Sequence, residues 1–276
     1  MAVLHQGSPE TAAPPVVRAV GALLVDGRAH PDVVDGLIEF LGYAGRCVLY
    51  SAELGEAVAE VYAAIQPMLE WGLPFPLADS LVAMACTPLL AAQRAELAAA
   101  IRRQAAEFPP GPLAAPGAAD WVRLLAELGE DVRDRLDDPD PAVRLRAALA
   151  TEDEPAARRI ILAALRTPPP RGVHVSELVG AAIRVAGSFA EISEAACAVV
   201  ARARWTGFGD DWGPLVAFAF LRPYRGRLDD AQRELVRALV ANDDLWDPAN
   251  GSVGLVYRQA GLPYDRAECR SALTAT

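Results

Sequence analysis

Lysine is absent from the chain. All 26 basic residues are arginine, set against 36 aspartates and glutamates, for a net charge of −10. The uniform arginine reads as a GC-rich coding bias and carries no chemistry of its own. The acid excess argues against nucleic acid as a partner, because neutralising phosphates takes clustered cations. Aromatics are scarce at 7%, so the 53% hydrophobic content is mostly alanine, leucine and valine. His5, His30 and His174 stand apart, and Cys47, Cys86, Cys197 and Cys269 form no C-x-x-C pair. No metal site is legible, no cofactor is implied, and the thiols read as buried and free in a reducing cytosol. No window of about 20 residues escapes charge or proline, and no basic stretch leads into a long apolar run. A soluble cytoplasmic protein with no membrane segment is expected. G-x-x-x-x-G-K-[ST], G-x-S-x-G and H-E-x-x-H motifs are all missing, which removes the commonest enzyme readings and leaves no catalytic residue to assign.

What remains is helix. Alanine and leucine are strong helix formers, and apolar residues recur with a helical period almost throughout, without alternating strand patterns. The pattern predicts helices over 14–25, 31–45, 52–71, 76–87 and 89–107, then 118–128, 129–137, 141–150, 154–167, 176–187 and 189–203. A last group covers 211–221, 229–241, 253–260 and 264–274. Between two of these lies Asp137-Asp138-Pro139-Asp140-Pro141-Ala142-Val143-Arg144. Asp140 suits an N-cap, accepting hydrogen bonds from free backbone N–H groups at the positive end of the helix dipole. Pro141 suits the first helical position, where no N–H is needed. Val143, Ala147 and Ala148 then share an apolar face, while Arg144 and Arg146 point elsewhere. Such a junction, with units of roughly 40 residues, is the turn of a helical repeat in the HEAT/armadillo range. Fainter copies open helices at Pro31-Asp32 and at Asp229-Asp230.

The Asp138–Arg144 run resembles HEAT-repeat proteins of high-GC actinobacteria. His5-Gln6-Gly7-Ser8 with Ala13-Pro14-Pro15-Val16-Val17, and the ending Ala260-Gly261-Leu262-Pro263-Tyr264-Asp265-Arg266, are similar to segments of one such group. The resemblance implies an all-α fold, a HEAT/armadillo-like right-handed α-solenoid of stacked helix pairs. It implies a single array over 1–276, with proline-rich inter-repeat loops near 108–117 and 167–172. The group carries no established activity, so it supplies no functional residues. Its members have helices ahead of the His-Gln-Gly-Ser segment, whereas Met1 lies four residues upstream here. The first helix pair is then expected to lack a cap and to leave an apolar flank for a partner or a second copy, as in a homodimer.

Chemistry concentrates in Arg204-Trp205-Thr206-Gly207-Phe208-Gly209-Asp210-Asp211-Trp212-Gly213. Glycines free this loop to present rigid aromatics, which make good binding anchors. The expected binding residues are Trp205, Phe208, Asp210, Asp211 and Trp212, with Arg222 and Tyr224 as a polar rim. The plainer alternative has an aspartate capping the next helix and the aromatics plugging a repeat junction. A second candidate, Asn242-Asp243-Asp244-Leu245-Trp246-Asp247, sets a tryptophan among carboxylates and suits a cation or a capped turn. The Asp131–Arg146 stretch alternates acids and arginines, as a solvated face or a ladder between repeats would. The leading expectation is a non-catalytic scaffold that engages a protein partner on its concave face. The alternative is an enzyme on the same scaffold, acting on a nucleobase as HEAT-like DNA glycosylases do, or on a natural-product small molecule. Its cleft would be lined by Trp121, Trp205 and Trp212, with Asp211 stabilising a developing cation.

Overall fold

The computed structural model describes residues 4–5, 8–9, 12–67, 74–107, 117–246 and 251–274. Among them the protein is helical apart from a two-residue pairing of Leu4–His5 with Ser8–Pro9. It divides into two compact units, Met1–Asp134 and Arg135–Thr276. The boundary falls at neither proline-rich stretch, and most of the first stretch lies outside the described residues.

The first unit comprises α1 (Ala13–Val25), α2 (Pro31–Cys47), α3 (Ala52–Ile65), α4 (Phe75–Ala85), α5 (Arg94–Glu107) and α6 (Ala118–Glu127). Their starts carry the expected chemistry. Pro31 opens α2 behind His30, whose Nδ1 accepts from the Asp32 N–H at 3.3 Å, and Ser51 Oγ accepts from the Leu54 N–H at 3.3 Å. Helix α1 packs on α3 and α2 on α4, while α5 and α6 close against α4. Leu41, Leu54, Tyr62, Leu81, Ile101 and Leu124 are fully enclosed between them. Small residues let α2 and α4 approach backbone to backbone: a Cβ on Gly45 would lie 2.8 Å from Met84 N, and one on Gly42 2.9 Å from Ser80 Cα. Asp79 of α4 ties three helices, taking Arg46 of α2 at 3.1 Å and Arg123 of α6 at 2.6 Å. Burial alone would push its carboxyl up, but the hydrogen bond and charge of Arg123, with Arg46, hold it below the usual range.

The helix expected over 129–137 is instead a short 3-10 turn, Arg133–Asp137. Gly129 ends α6 in the left-handed region (φ 87°), and Asp131 Oδ1 takes the Arg133 N–H at 3.0 Å, drawing the backbone into a local turn. Similarly, Pro88–Gln93 leads into α5 as a 3-10 segment that breaks at Leu90.

The second unit comprises α7 (Pro141–Ala150), α8 (Pro155–Leu165), α9 (Val175–Val185), α10 (Phe189–Arg202), α11 (Gly213–Ala219), α12 (Asp230–Ala241), α13 (Gly251–Gln259) and α14 (Arg266–Ala272). Contacts skip alternate helices: α8, α10, α12 and α14 form one row, and α7, α9, α11 and α13 form the other. The Asp-Pro-Asp-Pro turn opens this unit. Asp140 accepts from the Ala142 N–H at 2.8 Å, Asp138 Oδ1 from the Asp140 N–H at 2.9 Å, and Arg144 donates to the Asp138 carbonyl at 2.6 Å. Val143, Ala147 and Ala148 are buried, as the spacing predicts. Arg146 does not point to solvent. It is 6% exposed and reaches Glu177 of α9 at 2.7 Å and the Gly172 carbonyl, fixing the second proline-rich loop. Asp140→Ala is expected to cost about 1 kcal/mol in urea unfolding monitored by circular dichroism, with Asp140→Asn recovering most of it.

Two ladders repeat along the unit. Arg158 pairs with Glu191 and Arg166 with Glu194 at 2.8 Å, each reaching forward to α10, and Arg184 of α9 reaches back to Glu152 at 2.6 Å, so each pair joins neighbouring helix pairs. Exposed pairs of this kind contribute under about 1 kcal/mol each, so they set register more than stability. The second ladder closes helix ends, whose last carbonyls lack intrahelical donors. Arg202 donates to the Leu165 and Thr167 carbonyls after α8 at 2.7 and 3.1 Å. Asn242 donates to Val200 and Ala203 at the end of α10 at 2.7 and 2.9 Å. Arg266 donates to Val240 near the end of α12 at 2.8 Å. In each case the next helix pair caps the one before it.

Candidate functional site

The segment between α10 and α11 owes its shape to these caps. Asn242 fixes the point where the chain leaves α10, and Arg204 carries it into a 3-10 turn, Trp205–Gly207. A single turn of π-helix follows over Phe208–Trp212, closed by the Gly213 N–H donating to the Phe208 carbonyl. Such wide turns recur at functional positions. Two glycines make this one feasible. A Cβ on Gly213 would run into the Phe208 carbonyl oxygen and come within 2.9 Å of the Phe208 ring, and one on Gly207 would lie 3.1 Å from the Asp211 carboxylate carbon. Asp211 therefore folds back over its own turn.

The aromatics divide by burial. Trp212 is fully enclosed, its indole N–H donating to the Arg204 carbonyl at 3.1 Å. Phe208, half-buried, meets it edge-on at 5.0 Å, and Tyr257 of α13 meets it at 6.4 Å. The chain of rings continues from Tyr257 to Trp246 at 5.5 Å and to Tyr264 at 5.3 Å. Trp246 stacks on Tyr264 at 5.9 Å and donates its indole N–H to the Leu239 carbonyl at 2.9 Å. Trp205 alone among the tryptophans of this unit stands out from the surface, 43% exposed. Trp212 is thus a core residue, and its place in the cluster is to hold the π-turn that presents Trp205 and Phe208.

The N-cap of α11 is Trp212, which makes no side-chain cap bond, and Gly213 and Pro214 follow in the first turn. The side chain of Asp210 lies outside the described residues. Arg222 and Tyr224 lie beyond the far end of α11, a seven-residue helix about 10 Å long. There the Tyr224 N–H donates to the Ala260 carbonyl at 2.7 Å, against Gly261 in the left-handed region (φ 72°). Arg222 is exposed.

Trp246 sits among other rings, not among carboxylates alone: Asn242 takes the Asp244 N–H at 3.0 Å, Asp243 pairs with Arg266, and Asp247 lies outside the described residues. Tyr257 and Tyr264, which bind the cluster together, carry no signal in the sequence beyond their seven-residue spacing. Tyr257 is fully buried, its hydroxyl finds no partner among the described residues, and burial pushes its pKa up. Cys269 donates to the Pro263 carbonyl at 3.1 Å, and burial pushes its thiol up to about 12. Cys47 is also buried, whereas Cys86 lies at the surface and Cys197 is half-buried. No group of three or more histidine, cysteine, aspartate or glutamate residues suited to a metal ion occurs among the described residues.

Searches against protein-family models, curated proteins and solved structures found no match. The reading of this surface therefore rests on the chain's own residues. No described helix is long and apolar enough to cross a membrane.

Proposed function

We propose that the protein is a non-catalytic binding scaffold of HEAT-like solenoid type, working in the cytoplasm and engaging a protein partner through Trp205 and Phe208. The observation that carries the reading is the contrast between Trp205, exposed at 43%, and the rigid bed beneath it. The π-turn, the buried Trp212 and the Asn242 cap hold the backbone on both sides of that indole. Ordering this surface on binding then costs little conformational entropy, which is the condition for an aromatic hot spot.

The solenoid part of the reading is supported by the two rows of alternate helices in the second unit and by the capping of each pair by the next. Spacing adds less than the sequence suggested. Helices α7 and α9 start at Pro141 and Val175, 34 residues apart, and α10 and α12 at Phe189 and Asp230, 41 apart. That range spans tetratricopeptide and HEAT lengths. An enzyme cleft lined by Trp121, Trp205 and Trp212 is not favoured. Trp212 is enclosed in the second unit, and Trp121 is buried in the first, edge-on to Phe75 at 5.4 Å.

Trp205→Ala is expected to leave unfolding within about 0.5 kcal/mol of the parent, as exposed substitutions do. It should also lower partner affinity at least about tenfold. Urea unfolding of parent and variant checks the first half, and quantitative mass spectrometry of native pull-downs with both checks the second. Proteins captured equally by the two would remove Trp205 from the interface.

A further inference from the structure

From Trp212 to Leu228 the chain carries no carboxylate, although the protein has 36 of them. The end of that stretch, Leu221-Arg222-Pro223-Tyr224-Arg225-Gly226-Arg227-Leu228, joins α11 to α12. Leu221 is 77% exposed, and Arg222, Arg225 and Arg227 are exposed beside it. None of the three arginines is paired with a carboxylate among the described residues. Of the acids that follow, Asp229 accepts from the Gln232 N–H at 2.8 Å, and Asp230, itself fully exposed, pairs with Arg233 at 3.0 Å.

The loop is held in place. Tyr224 is pinned to Ala260 by its backbone N–H, and Leu228 is buried at the other end. Gly261 must be glycine here, since a Cβ would lie 2.8 Å from both Tyr224 N and Tyr224 O. The Gly261 N–H in turn donates to the Arg258 carbonyl at 3.0 Å, closing the turn at the end of α13. Next to the loop opens a hollow of about 580 Å³ lined by Arg227, Leu228, Asp229, Asp230, Gln232 and Arg233.

We propose that this loop docks an acidic segment carrying a large apolar side chain, supplied by a protein partner. Three arginines fix the sign of the occupant. Leu221 fixes its second property, because a sugar–phosphate backbone gains nothing from a bare leucine, whereas a leucine or phenylalanine between carboxylates buries it. A long polyanion would also meet the remaining negative charge of the protein, while a short acidic segment stays within the screening length of about 8–10 Å around the loop. Along the chain, α11 separates this loop from Trp205.

Selection from a displayed random-peptide library on the full chain, in parallel on R222E/R225E/R227E, tests the proposal. The parent is expected to enrich peptides with aspartate or glutamate flanking a leucine or phenylalanine. By fluorescence anisotropy, a labelled winner should bind the triple variant at least about tenfold more weakly, and all of its binding should weaken with salt. The all-lysine counterpart R222K/R225K/R227K should keep most of the affinity, which separates charge from folding, and Trp205→Ala should leave it unchanged. Winners without acidic bias, no enrichment, or equal binding to the charge-reversed variant would overturn the proposal. Single-stranded oligonucleotide binding at this loop in place of acidic peptides would assign it to nucleic acid instead.

Discussion

Trp212→Ala is expected to lower the stability of the second unit by about 4 kcal/mol, the range for emptying a buried indole site. The indole is fully enclosed, edge-on to Phe208 at 5.0 Å and near Tyr257 at 6.4 Å, so its removal leaves a hole lined on two sides by rings that cannot easily shift. The Arg204 carbonyl also loses the donor that holds the chain as it leaves α10. Trp212→Phe keeps most of the packing and loses that hydrogen bond, and is expected to cost about 1–2 kcal/mol. Because the chain has two units, hydrogen exchange over α11 and α13 is the cleaner readout. Protection there should fall together with that of the π-turn. A loss under about 1 kcal/mol would show that Trp212 is not what supports the Trp205 edge.

In the first unit, two glycines of α2 should respond to the same substitution with opposite sign. Gly36→Ala meets nothing within 4 Å and should stabilise by about 0.5–1 kcal/mol, the ordinary gain from replacing a helical glycine. Gly45→Ala gains the same propensity, but its Cβ would sit 2.8 Å from Met84 N and 2.9 Å from Ala83 C. Backbone atoms of a packed helix cannot move aside as a flexible side chain can, so the clash should outweigh the gain by about 2–3 kcal/mol. Thermal unfolding of the two variants beside the parent decides the matter. A stabilising Gly45→Ala would mean that α2 and α4 are not in backbone contact.

Helix positions were the most legible part of the fold, because alanine and leucine at helical spacing admit few alternatives. The Asp140 cap and the buried Val143, Ala147 and Ala148 follow from the Asp-Pro-Asp-Pro turn alone. Arg146 does not, because a guanidinium enters a core only where another helix brings a carboxylate, here Glu177, and that meeting is a tertiary fact. The same holds for the candidate site. The density of Trp205–Trp212 is plain in the sequence, but the packing of Trp212 against Tyr257 joins rings forty-five positions apart. Arg222 and Tyr224 are near Trp205 in sequence, and helix α11 runs between them. Arg202, Asn242 and Arg266 gave no sign at all of their shared capping role, since a donor to helix-end carbonyls needs no motif.

The scaffold reading stands most directly on Trp205. A photo-crosslinking phenylalanine derivative placed at that position, with the same group at exposed Arg270 as control, can be activated in living cells and its adducts identified by mass spectrometry. The account predicts a discrete protein adduct at position 205, absent at position 270 and retained when Trp212 is intact. No protein adduct at 205, or the same adducts from both positions, would contradict it.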